Sequence, residues 1–323
     1  AIVVRGEKSN PQLIWEDVAD IGYEEDEVLV DVRATAVNRA DLSQSRGNYP
    51  PPPGASDILG LEMAGVLRAA GANVADWRPG DRVMALLPGG GYAEQVAVPA
   101  GMLLRLPDDW SFVQGAAVPE VWYTAYINLF DEGQLKVGET ALIHAGASGV
   151  GTAAIQLALD AGAQAIATAG SEEKVAFCRE LGATAINYKT QDFLEQVMAA
   201  TDGLGVDVIL DPVGGDYLAR NVAALRRFGR LVNIGLLGGT KGELNMGQVL
   251  GKRLRIIGST LRARPVEEKI AITRRFAAEI MPGLADGRLR PIVDHVFPIA
   301  EAQAAHEYVL ANRNIGKVVL QVI

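Results

Sequence analysis

Apolar and polar positions alternate with two different rhythms along the chain. Up to about residue 120, short apolar or alternating runs such as VLVDVRATAV (28–37) and GYAEQVAVP (91–99) are separated by turn-forming clusters, NYPPPPGAS (48–56), WRPGDRV (77–83) and LPGGGYAE (87–94). Short runs punctuated by Gly and Pro predict the strands of a compact, barrel-like β unit. From about 120 to 260 the period changes. Apolar runs TALIHA (140–145), AIATAG (165–170), AINYK (185–189), VDVILD (206–211), GRLVNIG (229–235) and LRIIGST (254–260) alternate with helical patterns. Between the first two, Val150, Ala154, Leu157, Ala158 and Ala161 fall on one helical face. Six strands with helical crossovers predict an α/β domain with a doubly wound parallel sheet. The remainder holds a helical pattern (EEKIAITRRFAAEIM), a turn and strand (RPIVDHVFPI), another helix and the strand KVVLQVI. This tail is expected to return to the first domain, giving a β-rich domain from 1–122 and 262–323 around a nucleotide-binding domain from 123–261.

Composition narrows the partners. The 323 residues are 49% hydrophobic, enough for about two domains with large cores. A net charge of −9 argues against nucleic acid as a main partner, although a local basic pocket can coexist with it. No apolar run approaches the roughly 18 residues needed to span a bilayer, and the N-terminus carries no signal-peptide pattern. The single Cys178 excludes an internal disulfide framework and fits a reducing, cytoplasmic setting. His144, His295, His306 and Cys178 show no paired spacing, so no metal is expected.

The candidate chemistry begins at HAGASGVG (144–151), between a strand and a helix. Such a turn binds phosphate, because backbone N–H groups and the positive end of the helix dipole meet there. Gly146 allows the tight turn, Gly149 leaves room beside a diphosphate, and Gly151 lets the helix pack on the strand; Val150 lies between them. Ser148 stands where the G-x-G-x-x-G fingerprint has its second glycine. Taken alone, the segment could be a plain strand-to-helix turn.

The second strand bears on the nicotinamide cofactor. NAD enzymes place an acid about 20 residues past the loop to accept the ribose 2′-OH. Here the strand ends at Gly170 and Ser171, with Lys174 one turn on, which favours the 2′-phosphate of NADPH. Glu172 and Glu173 could serve NAD if the register slips. Ligands in these sheets lie beyond the carboxyl ends of strands. Gly235, Leu236 and Leu237 after the fifth strand, and Thr260 and Leu261 after the sixth, are therefore expected to line the nicotinamide half.

AVNRADLSQSRGNYPPPPGASDILGLEMAG (36–65), AAVPEVWYTAY (116–126), LIHAGASGVGTAAIQLA (142–158), GVDVILDPVGG (205–215) and NIGKVVL (314–320) together resemble the zinc-free quinone oxidoreductases of the medium-chain dehydrogenase/reductase superfamily. The likeness covers nearly the whole chain and is greatest to the branch of p53-inducible quinone reductases, with zeta-crystallin more distant. It implies a GroES-like catalytic domain, a Rossmann domain and NADPH as hydride source. VNRAD offers no cysteine and LGLE puts Leu61 where zinc-dependent relatives carry histidine; Glu62 remains, with a structural role expected.

By the resemblance, Asn38 and Tyr49 approach the nicotinamide, Thr124 lies beside its ring, and Gly149 to Gly151 hold the diphosphate. Ser171, Lys174 and Tyr188 surround the 2′-phosphate, and Lys317 reaches the cofactor. Without a metal, negative charge developing on a quinone or enone oxygen is met by donors, for which Tyr49, Asn38 and Ser148 are the candidates. A reduced quinone can take its proton from water, so no dedicated general acid is expected. The reading is an NADPH:quinone reductase. Alternatives are a reductase of α,β-unsaturated carbonyls and a non-enzymatic, crystallin-like NADPH-binding protein. The family also implies a homodimer joined along the Rossmann sheet edge near LRIIGST.

Overall fold

The long apolar run at 27–37 becomes the strand that organises the first of two units. The computed structural model describes residues 1–322. Its first unit is Ala1–Tyr123 with the segment from Leu261 onward, and its second is Thr124–Thr260. The first passage of the chain through unit one contains β1 (Ile2–Glu7), β2 (Asn10–Trp15), β3 (Glu27–Val37), α1 (Arg39–Ser45), β4 (Glu62–Ala70), β5 (Arg82–Leu86), β6 (Gln95–Pro99), β7 (Leu103–Arg105), α2 (Phe112–Ala116) and the start of α3 (Pro119–Tyr126). In unit two follow β8 (Thr140–Ile143), α4 (Gly149–Asp160), β9 (Gln164–Ala169), α5 (Glu172–Glu180), β10 (Thr184–Asn187), α6 (Phe193–Ala200), β11 (Val206–Asp211), α7 (Leu218–Ala224), β12 (Leu225–Asn233), α8 (Met246–Lys252) and β13 (Arg255–Gly258). The chain re-enters unit one with α9 (Val266–Glu279), α10 (Met281–Ala285), β14 (Val293–Pro298), α11 (Ala302–Leu310) and β15 (Lys317–Gln321).

In unit one the strands form a sheet in the order β14-β15-β3-β4-β5-β7, with β6 also on β3, and β1 and β2 form a separate hairpin. β4 pairs along Val28–Thr35 of β3. The other edge of β3 is shared: β6 takes Glu27–Asp31 and β15 takes Ala34–Val37. One strand thus joins the early and late parts of the chain. Most of its side chains are buried (Val28, Leu29, Val30, Val32, Ala34, Ala36, Val37), consistent with its near-continuous apolar run.

Unit two is a six-stranded sheet in the order β10-β9-β8-β11-β12-β13, parallel throughout. In sequence order this is 3-2-1-4-5-6, the doubly wound Rossmann arrangement. β11 is buried along its whole length, as expected of a central strand covered on both faces. Several runs are shorter than the sequence pattern predicts. TALIHA leaves the sheet after Ile143, and Ala145 adopts a left-handed conformation at φ 53°. The opening of β12 is tied down by Arg230. Its guanidinium donates to the Gly133 and Gln134 carbonyls at 2.7 Å each and makes a two-pronged ion pair with Glu139 at 2.6 and 3.1 Å. No helix among the described residues is long and apolar enough to cross a membrane.

A pH-sensitive contact lies in the unit-one core. The Tyr92 hydroxyl is 3.1 Å from His306 Nε2. Burial first, and Arg46 second, push the imidazole down to about 3 from its ordinary 6.5. The folded-state value is depressed, so the stability contributed by neutral His306 is present above pH 6.5 and is lost as pH falls toward 3. His306→Gln, followed by chemical denaturation at stepped pH, is expected to flatten the stability profile between pH 6.5 and 3; an unchanged slope would contradict this account.

Candidate active site

Two polar constellations stand out, one in each unit. In unit two the turn after β8 leads into α4, whose N-cap is Ser148. The Ser148 Oγ accepts the Gly151 N–H at 3.0 Å, so the side chain satisfies one of the helix's free donors. This local task was not evident from the glycine spacing, and it leaves the hydroxyl hydrogen for a ligand. Gly151 is obligatory: a Cβ there would strike the Ala145 carbonyl oxygen and Gly146 backbone. The N-terminus of α4 is thus a glycine-lined cradle for an anion, spanning Gly146, Ser148, Gly149, Val150 and Gly151.

The end of β9 carries a second cluster. A Cβ on Gly170 would lie 2.6 Å from the Tyr188 hydroxyl, so this tyrosine sits directly over the strand end. Its ring is 43% exposed. Ser171 caps α5, accepting the Lys174 N–H at 3.3 Å. Gly170, the Ser171 hydroxyl, the Lys174 N–H and the Tyr188 hydroxyl therefore gather at the strand end, with Lys174 in the first turn of α5. Glu172, the rival candidate for a ribose diol, accepts a hydrogen bond from Asn187 Nδ2 instead. Gly235, with the Pro212 carbonyl 2.8 Å from where its Cβ would stand, and the exposed Leu236 and Leu237 follow β12. Thr260 closes the unit, whereas Leu261 is buried at the start of the return to unit one. The Thr124 carbonyl accepts Asn128 Nδ2 at 2.7 Å.

A buried hydrogen-bonded chain that sequence reasoning missed fixes the turn after β11. His144 Nε2 lies 2.8 Å from Asn221 Oδ1, and Nδ1 lies 3.0 Å from Thr168 Oγ1. The Asn221 oxygen only accepts, so Nε2 carries the hydrogen and Nδ1 accepts from Thr168. Asn221 Nδ2 donates to Asp211 Oδ2 at 3.1 Å, and Asp211 Oδ1 accepts the Val213 and Gly214 N–H groups at 2.7 and 3.1 Å. Burial lowers the His144 pKa, so the ring is neutral and serves as a bridge.

In unit one, the expected Asn38, Glu62 and Lys317 meet, with roles partly different from those expected. Lys317 and Glu62 form an ion pair at 2.7 Å with side-chain exposures of 3% and 0%. Lys317 also donates to Asn38 Oδ1 at 2.7 Å and the Val37 carbonyl at 3.1 Å. Its ammonium thus has three partners inside the unit. Asn38 Nδ2 donates to Glu62 Oε1 at 2.8 Å and the Ala36 carbonyl at 3.3 Å. Both amide hydrogens of Asn38 are thus engaged inside the unit.

Glu62 does not offer a metal site. Its Oε1 is filled by Asn38 and Lys317 and its Oε2 by the Glu120 N–H at 2.9 Å, while the neighbouring Leu61 is apolar. Among the described residues no three His, Cys, Asp or Glu side chains come together to share a metal.

Tyr49 is held by a residue that sequence reasoning passed over. Arg262 stacks on its ring, with the guanidinium carbon 5.3 Å from the centroid. The same guanidinium donates to the Pro88 carbonyl at 2.8 Å, Gln44 Oε1 at 2.7 Å and the Tyr49 carbonyl at 3.4 Å. Burial and the charge of Glu120 raise the Tyr49 hydroxyl's pKa, while Arg262 opposes them. The phenol stays protonated and available as a donor.

Residues 24–108 match the family described as "Alcohol dehydrogenase GroES-like domain", and residues 149–277 match "Zinc-binding dehydrogenase". The quinone oxidoreductase of Sus scrofa is 31% identical over 94% of this chain and 92% of its own length; that of Homo sapiens is 30% identical over 91% and 88%. Among solved structures, the Escherichia coli quinone oxidoreductase complexed with NADPH superposes with a TM-score of 0.85 at 29% identity, covering 99% of this chain and all of that one. The CurK enoyl reductase gives 0.86 at 29% identity, covering 100% of this chain and 99% of that one.

The ion pair is open to a direct test. Lys317→Met leaves Glu62 buried and unpaired, and is expected to cost about 3–5 kcal/mol in chemical denaturation of unit one. Adding Glu62→Gln removes the stranded charge and should recover most of that loss; equal instability of the single and double variants would show that the pairing is not what matters.

Proposed function

We propose that this chain, which belongs to the medium-chain dehydrogenase/reductase superfamily, is an NADPH-dependent quinone reductase that works without a metal. The cofactor reading is carried by the cluster at the end of β9. The Tyr188 hydroxyl lies beside Gly170, Ser171 caps α5 with Lys174 in its first turn, and the first acid of α5 is turned to Asn187. A 2′-phosphate gains hydrogen bonds and a nearby ammonium there, whereas a bare ribose diol lacks its usual carboxylate. The diphosphate takes the N-terminus of α4, where Gly151 lets the chain turn tightly and Ser148 retains a hydroxyl hydrogen.

When bound, the nicotinamide supplies the hydride, and the protein's part is to orient it and to stabilise the charge that develops. With Glu62 occupied by Lys317, that charge falls to hydrogen-bond donors. The Tyr49 hydroxyl, protonated and steadied by Arg262, is the donor for the acceptor oxygen. Quinone is the favoured acceptor because relatives named quinone oxidoreductase align over almost the full chain. A second reading, reduction of an α,β-unsaturated carbonyl, draws support from the likeness to an enoyl reductase. Both acceptors take a hydride at carbon and place negative charge on oxygen.

A dimer is supported by the free edge of β13. Among the described residues it pairs only with β12, leaving a free edge, and Ile256 on it is 42% exposed. The adjoining α8 presents Leu250 at 81% exposure and Met246. Two copies pairing along β13 satisfy the edge and cover these side chains.

Steady-state rates with quinones and enones, using NADPH and NADH, test the reading; binding of NADPH without turnover of either acceptor class would favour a non-enzymatic role. Lys174→Ala is expected to weaken NADPH binding by about tenfold or more while leaving NADH within about twofold. Equal losses for the two cofactors would remove the 2′-phosphate assignment. Ile256→Lys is expected to convert a dimer to a monomer in light scattering, and an unaltered mass would rule out the β13 interface.

A further inference from the structure

The turn fixed by the His144 chain does not stand alone. In the sheet order of unit two, the path of the chain reverses between β8 and β11, and a dinucleotide crevice opens beyond the carboxyl ends of strands at such a reversal. His144 follows β8 directly and Asp211 is the last residue of β11. Both side chains are buried, so their hydrogen bonds run at the floor of that crevice.

Asp211 carries two turns. Its carboxylate accepts the Val213 and Gly214 N–H groups of the turn after β11. The turn after β12 is bonded onto that one. The Ile234 N–H donates to the Asp211 carbonyl at 2.8 Å, the Leu237 N–H to the Pro212 carbonyl at 3.2 Å and the Gly238 N–H to the Val213 carbonyl at 2.7 Å. In the other direction, the Gly215 N–H donates to the Gly239 carbonyl at 3.0 Å and the Asp216 N–H to the Gly238 carbonyl at 3.1 Å. Asn233 Nδ2 ties the root of the second turn to the Asp211 carbonyl at 3.1 Å and the Gly235 carbonyl at 2.9 Å. The segments lie so close that a Cβ on Gly215 would collide with the Lys241 carbonyl oxygen. Leu236 and Leu237 are more than half exposed, so their place is set by these backbone bonds more than by packing of their own side chains.

Asn221, buried on α7, is the joint of the assembly. Its Oδ1 accepts His144 Nε2–H and its Nδ2 donates to Asp211 Oδ2. His144 is braced in turn by Thr168 of β9 and by edge-on contacts with Phe193 and Tyr217, ring centroids 4.9 Å away in each case. Position 221 needs an acceptor at one end and a donor at the other. A carboxylate would face Asp211, and an alkyl group would leave both His144 and Asp211 a partner short.

We propose that Asn221 is a positioning residue for the nicotinamide half of the cofactor, holding the turns at 212–216 and 234–239 through Asp211 as one preformed wall of the crevice. This rests on the dinucleotide-binding reading above. With the wall preformed, binding does not have to order two turns. The wall grows from β11 and β12, whereas Ser171, Lys174 and Tyr188, assigned to the 2′-phosphate, stand at the ends of β9 and β10. Its contribution is therefore common to NADPH and NADH.

Asn221→Leu, close in volume, removes both side-chain bonds. In hydrogen exchange of the cofactor-free variant, peptides covering 212–216 and 234–239 are expected to exchange about tenfold faster than in the wild type, with β11 unchanged. In calorimetric titrations NADPH and NADH are expected to lose affinity by the same factor, about tenfold, unlike the selective loss on Lys174→Ala. His144→Phe keeps a ring against Phe193 and Tyr217 but cannot donate to Asn221, and carries the same test if Asn221→Leu fails to fold. His144→Gln, which retains a donor and an acceptor, should recover most of the affinity. Variants that are destabilised yet bind both cofactors as the wild type does would make Asn221 a core residue only and overturn the proposal, as would a loss confined to NADPH. A wild type that binds neither cofactor overturns the dinucleotide reading and this role together, whereas a wild type that binds them no better than Asn221→Leu does overturns this role alone.

Discussion

The polar interior of the first unit is arranged around a single contact, the Lys317 ammonium against the Glu62 carboxylate, both out of water. Neither charge could be buried alone without a heavy desolvation cost. Because Lys317 occupies one carboxylate oxygen, Asn38 is drawn in to share it, and the other oxygen is free to fix the backbone at Glu120. The pair therefore sets the start of α3 and the start of α1 at once. It also gives Glu62 a full complement of partners.

Much of unit two was legible in the chain because its signals are local. Strand–turn–helix periodicity located all six strands, and the acid missing after β9 drew attention to Ser171 and Lys174, while Tyr188 entered only through the family resemblance. Where the pattern overshot, backbone geometry was the reason. TALIHA reads as one apolar run, yet Ala145 turns left-handed and ends the strand early. Ser148 was recognised as the odd member of the loop, but its capping bond to Gly151 depends on a three-residue geometry that residue types alone do not specify.

Unit one hid more, because its contacts join positions far apart in sequence. Arg262 falls outside every patterned run, while in the structure it grips Pro88, Gln44 and the ring of Tyr49. Glu120 lay inside a recognised motif, but its backbone bond to the Glu62 carboxylate joins positions 58 residues apart. Lys317 could be assigned a charge from sequence, not an address. Burial partners more than two hundred residues apart leave no periodic trace.

The division of unit one into two chain segments has a consequence for how the protein is made. β3 cannot complete its free edge until β15 arrives, and β15 brings Lys317 with it. During synthesis, unit two has all of its strands available long before the first unit does. Glu62 must therefore wait, solvated and uncommitted, while about 250 further residues emerge at the ribosome's ordinary pace of roughly 5–20 residues per second. The order of assembly is thus written into the ion pair: the inserted unit can fold first, and the unit split around it in sequence is locked only once β15 has followed.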